Sequence, residues 1–170
     1  MSDTDIEQLE KVDEALLRGL LRAHTKAPLE SLYLEAGCVP IRFILKSRRM
    51  SYFQNIIQKD EEELVREIFE AQKEDPKDGD FVQIIGKDAT SIDLNVDENE
   101  VKKIKKAEFK KVVRSKVQYA AFQYLNKKKQ THSKVKDLEY KQLETQTYLK
   151  SPLFNTESRE MLLHKRFGDR

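Results

Sequence analysis

The sequence contains little cysteine, glycine or proline and no tryptophan: among 170 residues there are one Cys, five Gly and four Pro. The single cysteine, Cys38, excludes an internal disulfide and a zinc site built from several cysteines. So few glycines and prolines argue against turn-rich sandwiches and barrels. No run approaches the ~18 apolar residues of a membrane span, and the acidic N-terminus lacks the apolar segment of a signal peptide. We therefore expect an intracellular protein, in the nucleus or cytoplasm, without membrane contact.

Charged residues, in contrast, are abundant, at 36% of the chain against 38% hydrophobic. Lys, Glu, Leu and Gln dominate, and these residues favour helices. A chain of this length fits one domain, or two small parts that share a core. The prediction is an all-α protein, an irregular bundle of about seven helices. Its N-terminal part would be residues 1–75 and its linker-like part residues 76–170, packed as one continuous domain.

The formal net charge of +2 conceals two oppositely charged segments. Residues 60–100 contain 15 acidic and 4 basic side chains, whereas residues 101–141 contain 14 basic and 3 acidic ones. Such a division is typical of a basic surface that binds a polyanion. It is equally typical of complementary segments that pair within one molecule or between two copies.

Apolar periodicity and capping residues predict the individual helices. The pattern Thr4-x-x-Glu7 is a capping box, followed by one apolar stripe from Ile6 to Leu21. Asp97-x-x-Glu100 is a second such box. Gly86 is expected to end a short helix that begins after Asp80, and the next eleven residues are expected to be a connector. The remaining helices are predicted at residues 28–36, 41–58, 61–72, 106–129 and from 155 or 156 onward.

The predicted helix of residues 41–58 has apolar residues on two faces and cations between them. At 100° per residue, Arg42, Lys46 and Arg49 fall in one narrow arc. A central helix packed by two neighbours would present this arc through the gap between them. Alternatively, Arg42 or Arg48 pairs with Glu35 or with the acids after residue 60 and fixes the orientation of the helix.

No arrangement of residues typical of catalysis is present. The three histidines, His24, His132 and His164, are scattered and lack partners at metal-ligand spacing. No glycine-rich phosphate loop and no G-x-S-x-G pattern occurs. The acidic clusters at residues 60–63 and 97–100 are explained by helix capping. The sequence therefore predicts no enzyme activity, no metal, no cofactor and no small-molecule ligand.

Cations interleaved with aromatics form a more informative pattern. Along the predicted long helix, Phe109 and Tyr119 are accompanied by Lys110, Lys111, Arg114 and Lys116. The basic flank of this region includes Lys103, Lys110 and Arg114. Lys and Arg neutralise phosphates, and aromatic rings can stack on unpaired bases. The alternative is that the aromatics are core residues and the cations are solvated.

The most specific pattern lies in residues 31–60, SLYLEAGCVPIRFILKSRRMSYFQNIIQKD. It contains L-Y-L-E-x-G-x-x-P-I-R-F, then R-R-x-x-Y and an apolar run. This pattern resembles the segment just downstream of the polymerase domain in non-LTR retrotransposon polyproteins, especially Dong-type elements with a C-terminal endonuclease. The likeness extends from about residue 9 to residue 163, and includes IFEAQKEDPKDGDF, the helix around residues 109–125, THSKVKDLEY and YLKSPLF.

The resemblance implies the thumb and following linker of a reverse transcriptase, an α-helical region that handles the template-primer and leads to a zinc knuckle and a nuclease. The paired aspartates of the polymerase, in a Y/F-x-D-D turn, are absent from this sequence. With one cysteine the zinc knuckle is absent too, and the ending HKRFGDR departs from the leucine- and arginine-rich ending of the family. The resemblance therefore implies a retroelement-derived domain without catalytic activity.

We accordingly expect a domain that contacts the phosphate backbone of RNA or DNA without sequence specificity. Two rivals stay open. One is a protein-interaction or scaffold domain that uses the complementary charged segments, with a homo-oligomer as one form; the other is an inert remnant. The residues expected to contact nucleic acid are Arg42, Lys46, Arg49, Lys103, Lys110 and Arg114.

Overall fold

The computed structural model describes residues 3–153 and 155–167. Over these residues all regular elements are helices and no strand forms, which confirms the predicted all-α class. No helix in the described part is both long enough and apolar enough to cross a membrane. The helices of this part are α1 (Asp3–Leu21), α2 (Leu29–Ala36), α3 (Ile41–Ile57), α4 (Leu64–Glu74), α5 (Phe81–Ser91), α6 (Glu98–Lys103), α7 (Lys106–Lys129), α8 (Thr147–Lys150) and α9 (Thr156–Phe167).

The helices are divided between two compact units. Unit 1 combines the described residues up to Arg42 with those from Ala121 onward, and unit 2 is residues 43–120. The division falls within α3, after its second residue, and within α7. The boundary that the sequence predicted, after residue 75, lies inside unit 2.

The core of unit 1 is built around α2. Leu32 and Leu34 are fully buried, and the hydroxyl of the buried Tyr33 donates to Asp13 Oδ2 of α1 at 2.6 Å. Leu125 of α7 and Phe167 of α9 belong to the same apolar cluster. Burying large side chains of this kind contributes roughly 1.5–3 kcal/mol each. The L-Y-L-E stretch of the sequence is therefore explained by packing.

Gly37 ends α2 in the left-handed conformation, with φ +67°, and its N–H donates to Tyr33 O. Glycine is the residue best suited to this position because it has no Cβ. The segment around Thr145 crosses here: the Thr145 hydroxyl donates to Ala36 O at 2.8 Å, and Gln146 N–H donates to Glu35 O at 2.9 Å. A distant part of the chain thereby satisfies two carbonyls at the end of α2.

Unit 2 has its own buried side chains, most of them on α3 and α7. Met50 and Phe53 of α3 are buried, and the Phe53 ring lies 5.7 Å from the ring of Phe69 of α4. Phe109 and Val113 of α7 are equally buried. These positions agree with the apolar periodicity that the sequence shows along both helices.

Helix α5 differs from the prediction that Gly86 would end it. The helix continues to Ser91, and part of the predicted connector is helical. Ile85 and Ala89 are both buried one turn apart, so the apolar side of the helix continues past the glycine. The cost of one Gly in a helix interior, about 1 kcal/mol, is smaller than the gain from this burial.

Apolar residues on two other helices are more exposed than predicted. On α4, Phe69 is buried but Leu64 and Ile68 are 70% and 50% exposed, because the helix packs through one narrow side. On α1, Leu17 is buried whereas Leu16 and Leu20 are 62% and 82% exposed. The single stripe that the sequence suggested for α1 is therefore two separate faces.

Candidate nucleic-acid interface

Arg42 is placed at the start of α3 and is held by α1. Its Nη2 donates to Glu10 Oε2 at 2.7 Å and its Nε donates to Glu10 Oε1, so the pair is bidentate. The guanidinium also lies 5.5 Å from the centre of the Tyr124 ring. The cleft that Arg42 lines carries four carboxylates and two further cations: Glu7, Glu10, Glu14, Glu30, Lys11 and Lys128. A phosphate entering this cleft would therefore meet charges of both signs.

Lys46 and Arg49, one and two turns further along α3, also have partners within unit 2. Lys46 Nζ donates to Ser91 Oγ at 2.6 Å and lies 5.3 Å from the centre of the Phe43 ring. Arg49 Nε donates to Asp88 Oδ2 at 2.5 Å, and the Asp88 side chain is only 8% exposed. This pair joins α3 to α5 and compensates a carboxylate that burial alone would penalise.

The structure thus gives Arg42, Lys46 and Arg49 internal partners. The alternative interpretation of the sequence named Arg42 or Arg48, and the pairs that form are different ones. Arg42 pairs with Glu10 rather than with Glu35, and the acid that pairs with Arg49 is Asp88. Local sequence does not identify such partners, because both acids lie more than 30 residues away in the chain.

The second predicted group of cations lies on α6 and α7, whose junction is fixed by α3. Asp97 caps α6 by accepting a hydrogen bond from Glu100 N at 3.0 Å, as the capping box predicts. Between α6 and α7, the carbonyl of Ile104 accepts from Gln54 Nε2 at 3.0 Å and from Gln58 Nε2 at 3.2 Å. Two side-chain amides, one on α3 and one directly after its end, therefore hold the point at which the chain turns from α6 into α7.

Helix α7 separates an apolar side from a basic one. Phe109, Val113 and Val117, spaced four residues apart, are at most 3% exposed. Val112, which the sequence pattern places on the same apolar face, is 45% exposed. Lys110 and Arg114 are exposed, and so is Lys103 of α6. The three cations predicted here therefore face solvent, unlike those of α3.

Four further lysines, which were not among the residues predicted to contact nucleic acid, are exposed in the same stretch. Together with the three predicted cations they form the α6–α7 basic surface. Within residues 102–114 one acidic residue, Glu108, accompanies these seven cations. In the part of the chain that the structure describes, none of the seven has an ion-pair partner. The α6–α7 basic surface consists of Lys102, Lys103, Lys105, Lys106, Lys110, Lys111 and Arg114.

The acidic segment of residues 60–100 does not neutralise this surface. Its acids pair mainly with cations of their own segment or of α3, as Glu98 does with Arg66 and Lys73. One ion pair among the described residues joins the acidic and basic segments, between Lys116 and Asp93 at 2.7 Å. The complementary charges of the two segments are therefore mostly not matched within one molecule.

A different polar cluster, in unit 1, has the appearance of a site but is fully satisfied. The buried Glu35 carboxylate accepts hydrogen bonds from Tyr140 at 2.5 Å, Tyr148 at 2.9 Å and Arg166 at 2.7 Å. Burial, and then the hydrogen bond to Glu35, raises the pKa of Tyr140 above its ordinary value. Because three donors converge on one buried carboxylate, the cluster holds α2 to the C-terminal segments.

The described residues contain no group of three or more His, Cys, Asp or Glu side chains arranged to hold a metal ion. Over residues 3–153 and 155–167 the fold provides an all-α scaffold with a dense, exposed set of cations, the α6–α7 basic surface, that has no ion-pair partner there. Comparison with protein-family models, with curated proteins and with solved structures finds no match for this chain.

Proposed function

We propose that this chain contacts the phosphate backbone of RNA or DNA through the α6–α7 basic surface, without sequence specificity and without catalytic activity of its own. The observation that carries the proposal is the set of seven exposed cations with no ion-pair partner among the described residues. In the same unit Arg49, Arg66 and Lys116 are paired. The resemblance to a retroelement reverse transcriptase supplies a context, template-primer handling inside the cell, in the nucleus or cytoplasm.

The spacing of the cations supports contact with a charged backbone. Lys110 and Arg114 lie one turn apart on α7, about 6 Å along the helix axis. Lys and Arg side chains neutralise phosphates and release counterions, which drives such binding at low salt. Phosphate contacts position a nucleic acid but carry no sequence information. The proposal therefore includes no base-specific readout.

The proposal rests on Lys103, Lys110 and Arg114 rather than on the α3 cations. Contact of Arg42 or Arg49 with a phosphate requires the loss of an internal ion pair, with Glu10 or with Asp88. Leaving the carboxylate of Asp88, which is only 8% exposed, without its partner costs several kcal/mol. The cost is smaller for Glu10, whose side chain is 26% exposed. Contact through the exposed cations breaks no internal ion pair, so we expect these residues to bind the phosphate backbone first.

The test is fluorescence anisotropy with a labelled single-stranded RNA and a labelled primer-template duplex, in a salt series that begins at about 50 mM. The variant Lys103→Glu/Lys110→Glu/Arg114→Glu is compared with Lys26→Glu/Lys150→Glu/Lys165→Glu. Both change the net charge equally, and the second set lies in unit 1 at exposed positions. We expect the first variant to lose affinity by about 100-fold and the second to bind within a few-fold of wild type.

Two results would overturn the proposal. Absence of binding to either probe at low salt removes nucleic-acid contact from this chain. Equal losses in the two variants mean that net charge, and not the α6–α7 basic surface, determines the affinity. Circular dichroism of both variants shows whether the helical fold is retained.

The rival proposal, an interaction or scaffold domain, also has an observation in its favour. The acidic and basic segments leave most of their charge unmatched inside one molecule, so a partner could match it. Association that is lost at high salt, in a protein that binds neither nucleic-acid probe, would favour this rival.

A further inference from the structure

Tyr119, on α7, is the one tyrosine of the chain whose side chain has no structural partner among the described residues. It is 64% exposed, and no hydrogen bond, ring contact or cation engages it. The other five tyrosines donate to carboxylates, pack on a phenylalanine or lie beside cations: Tyr33, Tyr140, Tyr148, Tyr52 and Tyr124. A single exposed apolar side chain is ordinary, so the surroundings of this ring decide what it can bind.

The ring of Tyr119 lies on the same side of α7 as part of the α6–α7 basic surface. Lys111, Ser115 and Tyr119 follow one another at intervals of four residues and are all exposed, so they form one row along the helix. Lys111 and Tyr119 are about 12 Å apart along the helix axis. A stacked strand, at about 3.4 Å per nucleotide, covers this distance with about four nucleotides. A strand that contacts the cations therefore also reaches the ring.

The charges around the ring favour an anionic ligand. Residues 110–119 contain four cations and no acid. One of the four, Lys116, is paired with Asp93 of the preceding segment at 2.7 Å. The other three, Lys110, Lys111 and Arg114, have no ion-pair partner among the described residues. A ligand that fits this side of α7 is therefore anionic and has a flat apolar face, as an unpaired nucleotide has.

The position of the ring also distinguishes a single strand from a duplex. Within a duplex each base is covered on both faces by neighbouring base pairs, so a ring on the side of a helix cannot stack on it. The bases of a single strand can be splayed out and stacked on aromatic side chains. Phe109, the other aromatic residue of the sequence pattern, is 2% exposed and cannot reach a base. Stacking at this surface thus depends on Tyr119.

On the basis of the proposed function, we infer that Tyr119 stacks on an unpaired base while Lys110, Lys111 and Arg114 contact the neighbouring phosphates. The α6–α7 basic surface then prefers a single strand to a duplex. Such stacking tolerates any sequence, because every base has a π-face. The inference therefore adds a preference for the form of the nucleic acid and no readout of its bases.

Fluorescence anisotropy with single strands of RNA and DNA and with a fully paired duplex tests this preference. Tyr119→Leu should lower the affinity for both single strands by about tenfold, because the ring is lost. Tyr119→Phe should bind them within about twofold of wild type, because the ring is retained. Neither variant should change the affinity for the duplex. The slope of the salt dependence should stay the same in both, since no phosphate contact is removed.

Tyrosine replacement by tryptophan reports the stacking directly, because the chain contains no tryptophan of its own. In Tyr119→Trp, the fluorescence of the introduced indole should be quenched by a single strand and not by the duplex. Leu153→Trp is the control, since Leu153 is 90% exposed and lies outside unit 2. Its fluorescence should not respond to either probe.

The results separate this inference from the proposed function. If wild type binds none of the probes at low salt, both are overturned. If wild type binds single strand and duplex equally, and Tyr119→Leu binds the single strand as well as wild type does, the stacking is overturned and the phosphate contacts stand. Equal losses of affinity for single strand and duplex in Tyr119→Leu also overturn the stacking, because they indicate a structural role for the side chain.

Discussion

At the scale of single residues, Gly37 is the position where the backbone leaves the least room. Its φ of +67° alone makes a side chain costly, by roughly 1–2 kcal/mol. A Cβ atom there would also overlap the backbone of Glu144 and Thr145. Because backbone atoms cannot rotate away as a flexible side chain can, the crossing segment would have to move.

We predict that Gly37→Ala destabilises the protein by about 3 kcal/mol, the sum of conformational strain and overpacking. Gly79→Ala is the matched control, because Gly79 also has a positive φ, of +89°, but nothing lies within 4 Å of its Cβ position. That variant should lose only about 1 kcal/mol. Urea denaturation of the two variants measures the difference, and equal losses would show that the crossing at Thr145 carries no constraint.

At the scale of helices, the contact between α4 and α6 depends on one carboxylate. Glu98 accepts from Lys73 Nζ at 2.7 Å and from Arg66 Nη2 at 3.0 Å. Burial alone would raise the pKa of Glu98, but the hydrogen bonds from Lys73 and Arg66 outweigh it and hold the pKa below its ordinary value of 4.5. The same hydrogen bond to Glu98 raises the pKa of Lys73.

The lowered pKa of Glu98 predicts a pH dependence of stability. The folded state binds this proton more weakly than the unfolded state, so the stabilisation is present above about pH 4.5 and decreases as the pH falls through the lowered pKa. Glu98→Gln should therefore reduce the free energy of unfolding by about 1 kcal/mol at pH 7 and by progressively less in acid.

Denaturation of wild type and Glu98→Gln at a series of pH values measures this difference. Glu61→Gln provides the control, because Glu61 is exposed and has no ion-pair partner among the described residues. Its difference from wild type should stay near zero at all pH values. A Glu98→Gln difference that does not change between neutral and acidic pH would mean that the contact does not depend on the charge of Glu98.

The helices can be predicted from the sequence to the extent that local pattern determines them. The pattern predicts a helix over residues 41–58 and α3 is Ile41–Ile57, because apolar residues recur along its whole length. The N-cap at Asp97 can be predicted equally well, because the capping box lies within four consecutive residues. The C-terminal end of α5 cannot be predicted from local sequence. It depends on the burial of Ala89 and on the pairing of Asp88 with Arg49, a residue about 40 positions away.

The candidate site, too, can be predicted only where the local sequence pattern determines it. Exposure of Lys103, Lys110 and Arg114 agrees with the basic flank that helical periodicity places opposite Phe109 and Val113. The sequence predicts internal pairing of Arg42 only as an alternative and does not predict that of Arg49, because a sequence shows where a cation lies on its helix but not which distant acid it pairs with. Which face of α1 is buried depends likewise on its neighbours, and periodicity alone indicates one stripe.

At the scale of the whole molecule, the affinity for a polyanion depends more on how charge is distributed than on the net charge. A formal net charge of +2 gives little long-range attraction for a polyanion. Seven uncompensated cations within residues 102–114 concentrate positive charge at one place instead. Affinity should therefore follow the local number of phosphate contacts and not the net charge.

The salt dependence of binding measures that number directly. The logarithm of the binding constant falls with the logarithm of salt concentration with a slope of about −0.7 per neutralised phosphate of a single strand. We predict that Lys103→Gln/Lys110→Gln/Arg114→Gln makes this slope shallower by about 2, because three contacts are lost. Arg42→Gln should leave the slope unchanged and lower the melting temperature instead, because its partner is Glu10. An unchanged slope in the triple variant, together with a shallower slope in Arg42→Gln, would move the phosphate contacts from the α6–α7 basic surface to the start of α3.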